Sequence, residues 1–261
     1  MTGNSLPYPP LHVRLYSIWF RHFRVYTRNI ISNGLPPFLE PLIFLVGIGL
    51  GLGQYIDRMA GVDYLAYLAS GLLVTASMYT AAFECSFGTF IRLEFDKAYD
   101  GMLGASITAD DLIIGEILWA GTKGFFFSFA VLIIVISFGI LPPASTIPTP
   151  LIGFFTGIMF GAFSLFITSF VKTINHFNFY MTGFLSPMFF FSGVVFPLDR
   201  LPPIIRPVAE ALPLTHSVRL VRDLSLFSLD LMSLWSTVYI VLFSTIFGYL
   251  AVVRLKRRLI S

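Results

Sequence analysis

Six stretches of predominantly apolar residues, near 36–56, 64–88, 112–140, 151–171, 179–197 and 233–253, punctuate this chain. A run of about 20 such residues lets a helix cross the hydrocarbon core of a bilayer. Few folds are then open, because backbone polar groups in lipid must be satisfied inside the structure, which helices do and open sheets do not. Charge agrees with this: 56% of the 261 residues are hydrophobic and only 12% are charged, against roughly 25% charged in soluble domains. The fold expected is an all-α membrane protein with six transmembrane helices, forming a single transmembrane domain over 1–261. No soluble stretch is long enough to bury a core of its own. About 35 mixed residues precede the first span, unlike the short basic segment and prompt apolar core of a secretory signal.

Residues 11–30 vary at helical spacing. Leu11, Leu15, Ile18, Trp19, His22, Tyr26 and Ile30 fall on one face, and Arg14, Arg21, Arg24 and Arg28 on the other. That pattern predicts a basic amphipathic helix lying in the headgroup plane, with a helix packed on a partner as the alternative. Arg254, Lys256, Arg257 and Arg258 give the far end of the chain the same sign. Such clusters read as flanks of membrane spans rather than as a nucleic-acid surface. An even number of spans puts both termini on one side, and their basic residues predict that this side is cytoplasmic. Arg200, Arg206, Arg219 and Arg222 run against the rule, since they would lie outside. The segment that carries them, 198–232, is proline-rich and half apolar, the pattern of broken helices dipping back into the membrane.

Ionisable residues within apolar spans are expensive and are candidates for function. Here they are Glu40, Glu84, Glu116 and Lys123. One reading is an ion pair joining the second and third spans, Glu84 with Lys123; the other is a proton or substrate relay. In the first span Gly47 and Gly51, and Gly49 and Gly53, have the small-xxx-small spacing that permits close helix approach. Between the second and third spans, Arg92–Glu116 is strongly charged. It opens as a short amphipathic helix with Leu93, Phe95, Tyr99, Met102 and Leu103 among acidic residues, and Thr108 offers a cap for the third span. Docking of that helix on a soluble partner and an ordinary connection are both open. Phe177, Phe179, Tyr180, Phe184, Phe189, Phe190, Phe191 and Phe196 crowd the fifth span. Stacking on sugar rings would make Tyr180, Phe184, Phe189 and Phe190 part of a substrate path; lipid-facing and helix-packing aromatics are the alternative. His12, His22, His176 and His216 are scattered without metal-ligand spacing, so no metal site is expected. Neither a nucleophile elbow nor a Walker A motif occurs, so no catalytic residue is assigned, and any ATP must bind another chain.

These residues in this order resemble the type-2 ABC transporter permeases, most closely the nodulation-protein J branch. The resemblance runs through the amphipathic start, Phe38-Leu-Glu-Pro41 with Gly47-Ile-Gly-Leu-Gly-Leu-Gly53, and Ala82-Phe-Glu-Cys-Ser-Phe-Gly-Thr-Phe-Ile-Arg92. It continues through Gly115-Glu-Ile-Leu-Trp-Ala-Gly-Thr-Lys123, Phe191-Ser-Gly-Val-Val-Phe-Pro197 and Ala211-Leu-Pro-Leu-Thr-His-Ser217. It implies a multi-pass permease of the bacterial inner membrane, working as a homodimer with two copies of a separate ATPase that holds ATP and Mg. It implies export of a lipo-oligosaccharide, polysaccharide or other amphiphile. The helix between spans two and three becomes a cytoplasmic coupling helix, with Glu94, Phe95, Asp96, Tyr99, Asp100, Met102 and Leu103 toward the ATPase. The segment after span five becomes outer re-entrant helices. Many relatives carry a proline after the coupling helix, where this chain has Gly104-Ala-Ser106. Outside the family, a proton-driven transporter using Glu84, Glu116 and Lys123 is the alternative, and a membrane-embedded transferase a more remote one.

Overall fold

The computed structural model describes residues 9–105 and 107–260, without the side chains of Pro37, Glu40, Pro41, Leu50 and Ile260; the expectation for Glu40 therefore lies outside the described residues. Helix α1 is Leu11–Arg28, followed by one further turn at Ile30–Gly34. Helix α2, 36–53, is wound as a π-helix over Leu45–Leu50. A two-residue antiparallel hairpin pairs Arg58–Met59 with Val62–Asp63, and Asp63 then caps α3 by accepting from the N–H groups of Leu65 and Ala66. Helix α3 is Tyr64–Phe95 and includes π turns at Glu84–Gly88 and Ile91–Phe95. The short α4 is Ala98–Leu103, α5 is Ala109–Ser137, and α6 is Pro143–Thr168. Helix α7 is 177–191, α8 Arg206–Ala211, α9 Pro213–Leu226 and α10 Leu231–Ile260.

The chain is an all-α membrane fold. Helices α3, α5, α6 and α10 are long and apolar enough to cross a bilayer. The other two expected spans are shorter. In α2 the apolar part is Leu42–Gly53. Helix α7 ends at the Ser192–Gly193 turn, where Gly193 has a φ of 81°, and at 1.5 Å per residue its 177–191 reach is about 22 Å. The segment after α7 is helical but broken, as its prolines require: Pro207 and Pro213 stand in the first turns of α8 and α9.

The closest packing lies between α5 and α6. A methyl group on Gly157 would fall 2.6 Å from the Ala120 carbonyl oxygen, and one on Gly124 2.5 Å from the Gly153 carbonyl oxygen. Gly153, Gly157 and Gly161 thus form the small-residue seam. The glycines of α2 do not play that part within this chain: a Cβ on Gly47, Gly51 or Gly53 would meet nothing, and one on Gly49 would meet only the flexible Leu65 and Leu68 side chains.

Helix α1 is amphipathic as expected. The middle of its apolar stripe packs on α5, while Leu11 and Ile30 at its ends stay exposed: Ile18 and His22 are buried, Trp19 Nε1 donates to Thr122 Oγ1 at 2.9 Å, and Tyr26 meets the Trp119 ring edge-on. The opposite face mixes Arg24 and Arg28 with exposed Val13, Tyr16, Phe20 and Phe23. A second apolar set among the arginines is what leaves a membrane-facing surface once the first is buried.

Candidate functional site

The C-terminal end of α3, the short α4 and the first four turns of α5 converge on one buried charge network. Each π turn adds a residue to a helical turn and rotates the downstream side chains; with two of them, Arg92 folds back over Glu84. Arg92 Nη1 donates to Glu84 Oε1 at 2.7 Å, and Nη2 to Glu116 Oε2 at 2.8 Å. Lys123 Nζ donates to Glu84 Oε2 at 2.8 Å. The Tyr99 hydroxyl, carried in by α4, donates to Glu116 Oε1 at 2.6 Å. All four carboxylate oxygens of Glu84 and Glu116 therefore have a donor, and the two carboxylates face two cations. Such balance is what makes charge tolerable in a low-dielectric core. Burial first, and the Glu116 carboxylate second, push the Tyr99 hydroxyl well above its ordinary range, so it keeps its proton and stays a donor.

His22 joins from α1, with Nε2 3.1 Å from Glu116 Oε1 but poorly aligned for a hydrogen bond. Its ligand atom and those of Glu84 and Glu116 lie within 4.8 Å of one another, a spacing a metal ion could use. Arg92 and Lys123 already hold the carboxylate oxygens and would repel a cation, so the cluster suits helix joining better than metal binding. His22 was not legible as a member of this set, because it is remote in sequence from both glutamates.

The short connection is anchored from two further sides. Thr108 and Asp111 form a capping box at the start of α5, and Arg14 of α1 pairs with that same Asp111. From the end of α10, Lys256 Nζ meets Asp110 at 2.9 Å and Arg258 Nη2 meets Glu94 Oε1 at 2.8 Å. Arg258 also donates to the carbonyls of Thr168 and Val171 at the end of α6. Arg14 and Glu94 are thus committed inside the fold, whereas Arg24 and Arg28 are exposed and Arg21 is half-buried.

The seven residues expected to face a partner divide. Phe95 is 64% exposed, and Asp96 and Asp100 are exposed beside it. Tyr99 and Met102 turn inward, 1% and 8% exposed, because α4 has its own apolar side and the Tyr99 hydroxyl is needed by Glu116. Leu103 is half-buried. Lys97 stands between the π turn and α4 with a φ of 50°, so the chain reverses sharply there and leaves Phe95, Asp96 and Asp100 at the surface.

The aromatic candidates divide as well. Phe189 and Phe190 line a cavity of about 250 Å³ with Phe44, Leu72 and Thr75. Tyr180 and Phe184 are turned away from it: the Tyr180 hydroxyl shares a 2.7 Å hydrogen bond with Ser164, and Phe184 packs on Phe163 at 5.2 Å. A second cavity of about 460 Å³ has Phe83, Phe87, Phe127, Glu84 and Lys123 on its wall. The two share Ala76 and Tyr79, so a groove runs along α3 from an apolar end to a charged one.

Among known proteins, the sequence model of the ABC-2 type transporter family matches residues 13–226. The chain is 33% identical over 207 residues to the nodulation protein J of Sinorhizobium fredii (strain NBRC 101917 / NGR234), 79% of this chain and 79% of that protein. It is 31% identical over 227 residues to the nodulation protein J of Rhizobium leguminosarum bv. trifolii, 87% of each chain. At 23% identity over 206 residues it also matches the inner membrane transport permease YadH of Escherichia coli (strain K12), 79% of this chain and 80% of that one.

Proposed function

This chain belongs to the ABC-2 type transporter family as a membrane transport permease, and from that premise we propose that it is the transmembrane subunit of an ATP-driven exporter of an amphiphile. ATP and Mg are held by a separate ATPase, two copies of which serve a homodimer of this chain. The subunit sits in the bacterial cytoplasmic membrane with both termini cytoplasmic, a placement supported by the basic residues of α1 and of the α10 end, and by the relative named an inner membrane transport permease.

The observation behind the mechanism is that the link between α3 and α5 has two faces. Outward it offers Phe95, Asp96 and Asp100. Inward it is tied by Tyr99, which donates to Glu116 of α5 and accepts from Arg92 Nε of α3 at 3.3 Å. A push on α4 from a closing ATPase reaches both spans through rigid, charge-assisted contacts. Nucleotide can shift the permease between two states only by contacts that differ between them, and α4 is where those contacts would be made. The carboxylate oxygens of Glu84 and Glu116 are all occupied, which favours this structural part over a proton relay.

The groove along α3 suits an amphiphilic cargo, with its apolar end at Phe44, Leu72, Phe189 and Phe190 and its polar end at Glu84 and Lys123. A lipo-oligosaccharide, polysaccharide or related glycolipid is the class proposed.

Two substitutions test the assignment. Reversing the exposed charges together, Asp96→Lys with Asp100→Lys, is expected to abolish co-purification of the ATPase while the permease still accumulates in the membrane. A doubly reversed chain that still binds the ATPase and stimulates hydrolysis would overturn the docking face. Tyr99→Phe keeps the packing but removes the donor to Glu116. It is expected to leave the ATPase bound and to lower stimulated hydrolysis roughly tenfold, the scale of one hydrogen bond to a charged group. Unchanged stimulation would show that force does not pass through Tyr99.

A further inference from the structure

One face of α1 is basic and open, and neither the charge network nor the groove along α3 uses it. Arg24 and Arg28 are exposed one turn apart and border a recess of about 430 Å³ with Val25 and Thr27. Arg21 stands one turn before them, half-buried. Helix α1 contains no acidic residue, and the ion pairs among the described residues take up none of these three arginines. We infer that this face binds acidic phospholipids of the leaflet on which it lies, through their phosphate groups. The inference goes beyond the exporter reading and does not depend on which cargo the permease moves.

The rest of the helix fixes this face in place. At about 100° per residue, Arg24 and Arg28 fall away from the buried Ile18 and His22. The buried side is seated on α5. Ile18 fills the notch at Gly115, where a Cβ would fall 2.6 Å from Ile18 Cγ2, and Arg14 pairs with Asp111. The exposed arginines are therefore held at one position on the bundle. A guanidinium presents a planar fork of donors that matches the oxygens of a phosphate.

Two observations commit the face to a bilayer over an acidic protein. Apolar side chains share it: Val13, Tyr16, Phe20 and Phe23 are exposed, and the Arg24 guanidinium lies 6.0 Å from the Phe20 ring. An arginine whose stem lies along a ring keeps its charge in the headgroups while the ring enters the acyl boundary. The apolar surface also continues past the arginines. Ile30, Ile31, Leu35 and Leu39 are exposed, and α2, which leads into the apolar run Leu42–Gly53, begins at Pro36. Charge then selects the headgroup. Clustered guanidiniums with no carboxylate among them attract a net anion more than a zwitterion.

Native mass spectrometry of the full chain, titrated with phosphatidylglycerol and with phosphatidylcholine, tests this. Phosphatidylglycerol is expected to bind about 25-fold more tightly, at about fivefold for each of two arginines near an acidic surface. Arg24→Gln with Arg28→Gln is expected to bind the two lipids alike. Both residues are exposed, so the pair of substitutions does not endanger the fold. Arg257→Gln, at an exposed arginine of α10, is the control and is expected to keep the preference. No preference in the parent, a preference that survives in the double variant, or an equal loss with Arg257→Gln would overturn the site. Displacement of the bound lipid by inorganic phosphate would reassign the face to a free anion, and displacement by a polyglutamate peptide to an acidic protein; either result overturns the lipid assignment.

Discussion

Adding a single methyl group at Gly157 is expected to destabilise the protein by about 3 kcal/mol, the upper part of the range for overpacking a tight core. The new Cβ would fall 2.6 Å from the Ala120 carbonyl oxygen and 3.0 Å from Gly121 Cα. Both are backbone atoms, so no side chain can turn aside, and relief comes only by moving α5 and α6 apart. Those helices carry the bundle between them: α5 holds Glu116 and Lys123, and α6 holds Ser164 against Tyr180 and Thr168 against Cys85. Gly157→Val is expected to leave no monodisperse protein after detergent extraction, as read by size-exclusion chromatography. Gly183→Ala is the control, because a Cβ there meets nothing within 4 Å, and it is expected to behave as the parent. A Gly157→Val chain that elutes and melts like the parent would show that α5 and α6 do not approach this closely.

The second large effect is expected at Arg92. Its guanidinium serves two carboxylates at once. Arg92→Met leaves Glu84 Oε1 and Glu116 Oε2 buried without their cationic donor, and removing one partner of a buried pair costs about 3–5 kcal/mol. The same account predicts a partial rescue: Glu116→Gln, added to Arg92→Met, removes the stranded charge and is expected to recover part of the loss. Thermal melts of the parent, the two single variants and the double variant form a cycle that measures the coupling. Additive losses would mean that Arg92 and Glu116 do not depend on one another.

Much of the fold was legible because lipid imposes a length on apolar segments. The spans near 64–88, 112–140, 151–171 and 233–253 correspond to α3, α5, α6 and α10, and the broken character of 198–232 followed from its prolines. The seam at Gly153, Gly157 and Gly161 was also visible as a four-residue repeat, but the denser glycines of 47–53 drew the reading to α2. Small spacing alone does not say whether a neighbour is there to be approached. Arg219 and Arg222 looked like charges on the wrong side of the membrane. In the fold they are neither free nor at the flanks, since Glu210 pairs with one and the Tyr67 ring covers the other. A rule that counts flanking charge cannot anticipate that. The network was least legible. Glu84, Glu116 and Lys123 stood out as charges in apolar runs, but Arg92 and Tyr99 reach them only because two π turns and a left-handed residue at Lys97 fold the link inward. Nothing in hydropathy marks a π turn.

The link's division of labour comes from the same geometry. A connection that was only polar would present all its side chains to water. This one turns Tyr99 and Met102 inward, where they hold two helices together, and keeps Phe95, Asp96 and Asp100 outward, the face on which the proposed docking rests.

The most direct test of the central claim is transport by the chain reconstituted with its co-purified ATPase in lipid vesicles, followed with a fluorescent glycolipid. The account predicts movement across the bilayer that requires ATP and Mg, persists when a protonophore collapses the proton gradient, and is lost with Asp96→Lys and Asp100→Lys together. Movement driven by a proton gradient in vesicles that hold this chain and no ATPase would contradict it.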